Sequence, residues 1–280
     1  MSNSLRGVRF FSKDRLPLFL SLSYLLVWIL LSLFVEQIAP HDPNQQNLSL
    51  RFGLPGTPGH LLGTDSLGRD VLSRVLFGYR TAALVGFGSL ILSLMLGAGF
   101  ALVVSFLPPK MEHLFSFFND SILAIPTVLL SLSIIAALGP GQFQIILSLG
   151  IVFTPFLYRV MLAELRRAKQ EGWVLAAQVL GTPWYRVLAW HLLPQVLPVL
   201  LVHVTSLFSL AISLEASLSF LGVGSQPPQA SWGLMLQEAR NFLFTASRLA
   251  IIPGIVLALS VLALNTLGDS ISRIDSNDQE

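Results

Sequence analysis

The sequence of 280 residues contains no cysteine and few charged side chains. The lack of cysteine excludes a disulfide framework, a thiolate metal site and a cysteine nucleophile. Charged residues make up 11% of the chain, whereas soluble domains carry about 25%. The formal net charge of +2 is too small to indicate a nucleic-acid partner. With 53% hydrophobic residues and a mean hydropathy of +0.71, the composition is typical of an integral membrane protein.

Patterns for catalysis and nucleotide binding are also missing. The sequence has no Walker A pattern, so it cannot bind a nucleotide by that route. It contains no Ser-His or paired-carboxylate constellation, and we predict no catalytic residue and no cofactor. Its five histidines are scattered along the chain, and we predict no metal site from them.

Six apolar stretches are long enough to cross a bilayer, which takes about 20 residues. They predict membrane spans at residues 16–36, 81–107, 114–138, 141–163, 192–214 and 249–268. The predicted fold class is therefore all-α: a polytopic membrane protein with a single transmembrane domain over residues 16–280. The first stretch has the alternative of a cleavable signal peptide. Its apolar run is longer than usual and no small-residue cleavage site follows cleanly, so we predict a retained helix.

The distribution of Lys and Arg predicts the orientation, because cytoplasmic loops of membrane proteins are enriched in both. Segments 1–15, 108–113, 159–191 and 268–280 together hold eleven of these residues, and the intervening loops 37–80 and 215–248 hold six. We therefore predict that both termini are cytoplasmic and that residues 1–15 form a cytoplasmic N-terminus. Residues 37–80 then form a first external loop, and residues 215–248 a second external loop.

Between the fourth and fifth spans lies a basic loop (residues 164–191) with the pattern of two short helices joined by a tight corner. Gly181 can adopt the left-handed conformation that ends the first helix. Thr182 can cap the second helix, with Pro183 at its first position. Trp184 is among the rigid aromatic side chains that anchor interfaces. The loop is thus predicted to dock a soluble partner; the alternative is a helix pair that only rests on the membrane surface.

Four strings of the sequence resemble the inner-membrane permease subunits of ABC importers of the dipeptide/oligopeptide/nickel class, and more narrowly their second-permease branch. The basic loop resembles the family's Glu-Ala-Ala motif, with Leu175 at the position of the Glu. Glu171, one helical turn earlier, is the candidate substitute for that carboxylate. The other strings are LGTDSLGRDVLSR at 62–74, EASLSFLGVG at 215–224 with the following PP and SWG, and PG at 253–254 with NTLGD at 265–269.

The resemblance implies that the basic loop carries coupling helices, which lie in a cleft of a separate ATPase. The residues it assigns to ATPase coupling are Glu171, Ala176, Ala177, Gly181, Thr182, Pro183, Trp184, Arg186, Leu193 and Pro194. It implies a second homologous permease, one or two ATP-binding cassette subunits that bind the ATP, an extracytoplasmic binding protein and membrane lipid as partners. The implied location is the bacterial inner membrane.

Candidates for the translocation pathway are Asp120, His203 and Glu215. Asp120 has the alternative of a carboxylate near the start of a helix, stabilised by the helix dipole. His203 has the alternative of a packed imidazole, and Glu215 that of a partner for Arg240 or another external arginine. In the first external loop, Thr64 or Asp65 is the predicted cap of a short helix.

Asp65, Arg69 and Trp232 are candidates for docking the binding protein. Asp70 and Arg74 are predicted to pair across one helical turn. The alternative for the charged group that includes Asp65 and Arg69 is therefore a structural role and not docking. Prolines at 126, 155, 198 and 253 are predicted to kink their spans. Glycines at 86, 88, 97 and 99 are suited to tight helix packing.

Peptides are the cargo that the resemblance implies first. Nickel, a metal chelate and antimicrobial peptides remain open, because the same scaffold handles them. Outside this class, a self-sufficient secondary transporter needs intramembrane ionisable residues, and the sequence offers chiefly Asp120. A membrane-bound enzyme is disfavoured because a catalytic constellation is missing.

Overall fold

A computed structural model describes residues 16–277, so the predicted N-terminal segment 1–15 lies outside the described residues. The described part is helical and contains no strand. Its helices are α1 (Leu16–Leu33), α2 (Val71–Val104), α3 (Pro109–Leu123), α4 (Thr127–Leu138), α5 (Gln142–Lys169), α6 (Gly172–Val179), α7 (Trp184–Val187), α8 (Leu193–Phe220), α9 (Trp232–Ala239) and α10 (Arg248–Asn277), with a helical turn at Val35–Ile38.

The apolar helices agree with a polytopic membrane protein. Among the described residues, α1, α2, α5, α8 and α10 are each long and apolar enough to cross a bilayer. The pair α3–α4 provides a sixth crossing when it is counted as one broken span. The predicted all-α fold class is therefore confirmed.

Helix α2 begins ten residues earlier than the predicted second span. The cap is Asp70, whose carboxylate accepts the backbone N–H of Ser73 at 2.7 Å. Neither Thr64 nor Asp65 caps this helix, so that prediction is wrong. The predicted short helix and the predicted span are one continuous element, because no helix-breaking residue separates them.

The predicted third span is not a straight helix. Helices α3 and α4 meet at 87°, and Pro126 precedes the first residue of α4. Proline lacks a backbone N–H and disfavours helical geometry at the residue before it. The break at Ile125–Pro126 therefore ends one helix and starts another, whereas a kink was predicted. Prolines 155, 198 and 253 do lie inside helices.

Helix α5 continues past the predicted end of the fourth span. Its 28 residues measure about 42 Å, more than the ~30 Å apolar core of a bilayer. The last turn carries Arg166, Arg167 and Lys169. Helix α5 thus contributes the start of the basic loop, and on the far side of that loop α7 runs through a π-helical turn, Leu188–Leu192, into α8.

Helices α2 and α5 pack closely along the centre of the molecule. A π-helical turn, Leu94–Ala98, interrupts α2, and a Cβ on Gly97 would lie 2.5 Å from the carbonyl oxygen of Thr154. Positions 86 and 88 are also tightly packed, whereas a Cβ added at Gly99 would meet no other part of the molecule within 4 Å. Tight packing therefore holds for three of the four predicted glycines and is wrong for Gly99.

The second external loop folds back onto the helix bundle. Helix α9 contacts α8 and α10, and the indole Nε1 of Trp232 donates to the carbonyl of Val75 in α2 at 3.1 Å. At the start of α10, Arg248 donates to the carbonyls of Phe52 and Gly53, both at 2.9 Å. Both external loops are thereby attached to the ends of the spans.

Candidate functional site

The corner of the basic loop has the predicted left-handed glycine. Gly181 has φ +71°, and the N–H of Thr182 donates to the carbonyl of Ala177 at 3.0 Å. This six-to-one hydrogen bond is the Schellman arrangement, which satisfies a carbonyl at the end of α6. The capping residue of α7 is Pro183, with no side-chain cap, and α7 begins at Trp184. The predicted cap at Thr182 and first position at Pro183 are therefore wrong by one residue.

The inner face of the basic loop is buried against the bundle. Val174 of α6 and Val187 of α7 belong to a hydrophobic cluster with Tyr158, Met161 and Leu165 of α5. Because protein interiors are close-packed and transmit displacement, this cluster joins α6 and α7 mechanically to α5. The inner face of the loop therefore packs directly against a membrane span.

Aromatic contacts fix the second half of the corner. The rings of Trp184 and Phe106 have centroids 4.8 Å apart, and the ammonium of Lys169 lies 4.1 Å from the centroid of the Phe106 ring. Cation–π and ring contacts of this kind favour one fixed arrangement. The turn between α2 and α3 is thus packed against the basic loop.

The outer tip of the corner is apolar and open. Val179 is 87% exposed and Leu180 is 83% exposed, directly before Gly181. Trp184 and Tyr185 are also exposed. Neither Val179 nor Leu180 was predicted to be a site residue. Their position just before a left-handed glycine, where the chain reverses, was the available signal.

Most basic side chains of the loop have partners within the chain. Arg166 pairs with Glu112 of α3, Lys169 donates to the carbonyl of Ser105, and Arg167 lies 3.8 Å from Glu164. Arg186 is exposed. The apolar tip, rather than the cationic side chains, is therefore the most accessible feature of the loop.

The remaining coupling candidates lie within α6 or next to the ends of the neighbouring helices. Glu171 lies in the turn between α5 and α6, where its carbonyl accepts the N–H of Val174 at 3.0 Å. Ala176 is exposed and Ala177 is half-buried, so small side chains line the open face of α6. Leu193 and Pro194 start α8 and are exposed.

Asp120 and His203, two of the pathway candidates, lie on different helices. Asp120 is exposed three residues before α3 ends. Its predicted alternative as a carboxylate at a helix start is therefore wrong, because the break at Pro126 places it near a helix end. His203 is half-buried inside α8, where Nδ1 lies 2.8 Å from the carbonyl oxygen of Val199. Its ring centroid is 5.6 Å from that of Phe156.

Glu215 is buried in α8 and accepts hydrogen bonds from two serine hydroxyls. Ser219 Oγ donates to Glu215 Oε1 at 2.8 Å, and Ser225 Oγ donates to the same oxygen at 3.0 Å. Its described hydrogen bonds are to serines, so the proposed pairing with Arg240 is wrong. The serines belong to the end of α8 and the following turn, and the carboxylate joins these two segments.

The three predicted docking residues of the external loops are buried. Asp65, Arg69 and Trp232 lie in the interior of the external segment, and this prediction of direct docking contacts is wrong. Arg69 Nε donates to Asp65 at 2.6 Å, and its Nη2 donates to Glu238 of α9 at 2.8 Å. The sequence predicts that these residues are exposed, because they are polar or amphipathic and lie outside the spans. In the folded chain, however, α9 packs against α2 and they are buried.

Arg74 shares the same network and does not pair with Asp70 as predicted. Its Nη2 donates to Glu238 at 2.8 Å, and its Nε lies 3.7 Å from Asp65. The carboxylate of Asp70 faces His60 and His41 instead. The sequence spacing of four residues was misleading because Asp70 precedes the first turn of α2 and serves as its cap.

Comparison with known proteins places this architecture among transport proteins. Residues 93–275 match the family described as binding-protein-dependent transport system inner membrane component. The di/tripeptide transport system permease protein DppC of Pseudomonas aeruginosa is 36% identical over 255 residues, which cover 89% of this chain and 84% of that protein. The dipeptide transport system permease protein DppC of Haemophilus influenzae is 34% identical over 267 residues, covering 94% and 90%.

A solved structure supports the same fold. The inward-facing MetNI methionine ABC transporter aligns with a TM-score of 0.59 at 18% identity, over 72% of this chain and 95% of that chain. At this identity the likeness concerns the arrangement of helices.

Proposed function

Since this chain belongs to the family of binding-protein-dependent transport system inner membrane components, we propose that it forms half of the translocation pathway of an ABC importer for short peptides. The chain is a multi-pass permease subunit. A second, homologous permease supplies the other half of the pathway, and one or two ATP-binding cassette subunits hydrolyse the ATP. An extracytoplasmic binding protein delivers the substrate.

The observation that carries this proposal is the exposed apolar tip on a firmly packed loop. Val179 and Leu180 project from a corner whose inner face is buried against α5 through Val174 and Val187. Burying two exposed apolar side chains in a partner contributes on the order of 3 kcal/mol. The tip therefore suits insertion into a cleft of the ATPase.

The coupling candidates share this corner and are assigned complementary roles. Gly181 and Pro183 set the angle of the corner, while Ala176 and Ala177 let a partner surface approach α6 closely. Trp184 fixes α7 through its contact with Phe106. When the ATPase subunits close, the corner moves with them and α5 and α8 follow, because no flexible linker separates them from α6 and α7.

We place the basic loop and both termini in the cytoplasm and the external loops on the opposite face of the bacterial inner membrane. The excess of Lys and Arg on one side of the spans supports this orientation. An ATPase partner requires the same orientation, because the nucleotide is cytoplasmic. Asp120 and His203 are the proposed candidates for the pathway, which is completed by the second permease, whereas the buried Glu215 has a structural role.

Short peptides are the proposed cargo. The relatives named above are described as di/tripeptide and dipeptide permeases, and a relative from Pectobacterium atrosepticum, 30% identical over 248 residues, is described as a glutathione transport permease. Glutathione is itself a tripeptide. The shared chemistry of these cargoes is a short backbone with charged ends.

The coupling role is tested by Leu180→Asp, which places a charge at the apolar tip without touching the packed inner face. We expect the variant to insert normally and to lose most of the ATPase activity that co-purifies with the affinity-tagged, solubilised chain. Leu61→Asp is the matched control, because Leu61 is an equally apolar, 69% exposed side chain in the first external loop. Full ATPase recovery with Leu180→Asp would count against the coupling role of this tip.

The cargo is tested with the assembled complex in proteoliposomes. We expect ATP-dependent uptake of a labelled di- or tripeptide when the binding protein is present. Uptake of nickel in place of peptides would overturn the peptide assignment and leave the coupling role intact. Uptake by this chain alone, driven by an ion gradient, would overturn both.

A further inference from the structure

Three side chains with metal-binding chemistry converge in the first external loop. His41, His60 and Asp70 each offer one ligand atom, and these atoms lie within 4.8 Å of one another. We propose that they form a site for a divalent transition-metal ion of the zinc type. The ion would cross-link the long loop before α2 to the N-terminal end of that helix.

The distances show that the three groups already face a common point. His60 Nδ1 lies 2.9 Å from Asp70 Oδ1, and His41 Nδ1 lies 4.0 Å from Asp70 Oδ2. The two imidazole rings are stacked, with centroids 4.6 Å apart and an angle of 25° between their planes. Both Nδ1 atoms therefore approach the same carboxylate, although 29 and 10 residues separate the histidines from it.

An unpartnered nitrogen marks the site as incomplete. Nδ1 of His41 is shielded from solvent and has no hydrogen-bond partner among the described residues. Leaving a buried polar atom unpaired is destabilising. A cation held between His41 and Asp70 would satisfy this nitrogen, which a hydrogen bond at 4.0 Å cannot do.

The groups around the cluster hold its ligands in place. Asp70 Oδ2 accepts both the N–H and the Oγ–H of Ser73, at 2.7 and 2.8 Å. Ser73 Oγ in turn accepts the backbone N–H of His41 at 3.1 Å. Outer contacts of this type orient metal ligands and raise affinity. The carboxylate is fully buried, while the His41 side chain is 31% exposed, which leaves a path for an ion to enter.

The chemistry of the donors selects the class of ion. Two imidazole nitrogens and one carboxylate oxygen suit Zn²⁺ and neighbouring transition metals, whereas Mg²⁺ and Ca²⁺ prefer oxygen donors alone. Zinc bonds to these atoms are about 2.0–2.2 Å long, so the ion enters between His60 and Asp70 and replaces their hydrogen bond. Each ligating Nδ1 must be free of its proton. A water molecule or another solute completes the coordination.

The test measures zinc binding to the purified full-length chain in detergent by competition with a chromophoric zinc chelator. We expect about one tightly bound ion per chain, with the affinity at least tenfold weaker in His41→Ala and in Asp70→Asn. Asn is an equally good helix cap, so the second variant removes the charged ligand without uncapping α2. His113→Ala is the matched control, because His113 is exposed on α3.

Folding is followed in the same samples, so that a loss of binding is not confused with a loss of structure. Helix content by circular dichroism should match in all four proteins. The unfolding midpoint should rise with added Zn²⁺ in the wild type and in His113→Ala only, because a ligand that binds the folded state stabilises it. If the wild type binds no zinc, or if His41→Ala and Asp70→Asn bind it as tightly as the wild type, the proposed metal site is wrong. His41, His60 and Asp70 would then form a hydrogen-bonded triad without a metal.

Discussion

The indole of Trp232 occupies the space beside Gly78: a Cβ at position 78 would come within 2.3 Å of the indole Nε1. That nitrogen donates to the carbonyl of Val75, one turn earlier in α2. The ring also packs edge-on against Tyr79, with centroids 4.9 Å apart. A glycine in a membrane span thus makes room for a tryptophan from the helix α9, and this contact attaches α9 to α2.

The first prediction concerns this contact. Gly78→Ala should destabilise the protein by about 1–3 kcal/mol, the usual cost of overpacking a filled interior. The reason is that both α2 and the buried Trp232 are held by other contacts and cannot both move away. Thermal unfolding of the detergent-solubilised chain measures the loss.

Gly99→Ala is the control for that measurement. Gly99 also lies in α2, but nothing lies within 4 Å of the space that its Cβ would fill. Alanine has the higher helix propensity, so the midpoint should stay the same or rise slightly. Equal losses of stability at both positions would show that α2 tolerates no added methyl group. The loss at Gly78 could then not be attributed to its contact with Trp232.

The second prediction concerns the buried ion network. Glu238→Gln should destabilise the chain by about 2 kcal/mol, because Arg69 and Arg74 are buried and each donates to this carboxylate. Breaking a fully buried pair costs about 3–5 kcal/mol, and we expect less because the Glu238 side chain is 26% exposed. Thermal unfolding at constant pH and salt is the measurement.

A surface pair on the same side provides the comparison. Glu36 accepts from Arg80 at 2.6 Å, but both side chains are exposed. Exposed pairs contribute about 0–1 kcal/mol, so Glu36→Gln should barely shift the midpoint. A larger shift for Glu36→Gln than for Glu238→Gln would contradict the importance of the buried network.

The third prediction separates the structural and pathway roles of Glu215. Glu215→Gln should keep both stability and transport, because the amide oxygen can still accept from Ser219 and Ser225. Glu215→Leu should lose about 1–3 kcal/mol of stability, because it leaves both hydroxyls without their acceptor. Thermal unfolding and peptide uptake are measured together on each variant. Normal stability with lost transport in Glu215→Gln would instead assign the charge to the pathway.

The fourth prediction concerns orientation, and the lack of native cysteine makes it simple to test. Leu180→Cys and Leu54→Cys each introduce one exposed thiol, in the basic loop and in the first external loop. A membrane-impermeant maleimide should label Leu54→Cys in intact spheroplasts and Leu180→Cys only after the inner face is made accessible. Labelling of both variants from the same side would refute the proposed topology.

Much of the fold follows from local features of the sequence. Spans such as α1 and α10 can be predicted because each contains an uncharged apolar run about as long as the bilayer requires. The corner at Gly181 can be predicted because only a residue without a side chain readily adopts a positive φ. The membership of the permease family could also be predicted, since it rests on strings that lie in the right order along the chain.

Other predictions were wrong because the features they concern depend on contacts between residues that are distant in the sequence. Asp65, Arg69 and Trp232 are polar or amphipathic and precede or follow membrane spans, so they were predicted to be accessible. Folding covers them with α9, and Glu238 arrives 169 positions after Arg69 to pair with it. No local pattern indicates such a partner.

The sequence by itself determined that this chain resides in a membrane, that it carries several long apolar spans and that the basic loop turns at Gly181. These properties depend on apolar length, on charge distribution and on the backbone preferences of Gly and Pro. The tertiary structure alone decided which polar groups are buried, that Val179 and Leu180 form the accessible tip, and that His41 and His60 meet at Asp70. Burial and convergence are properties of packing between segments, and packing is set by the whole fold.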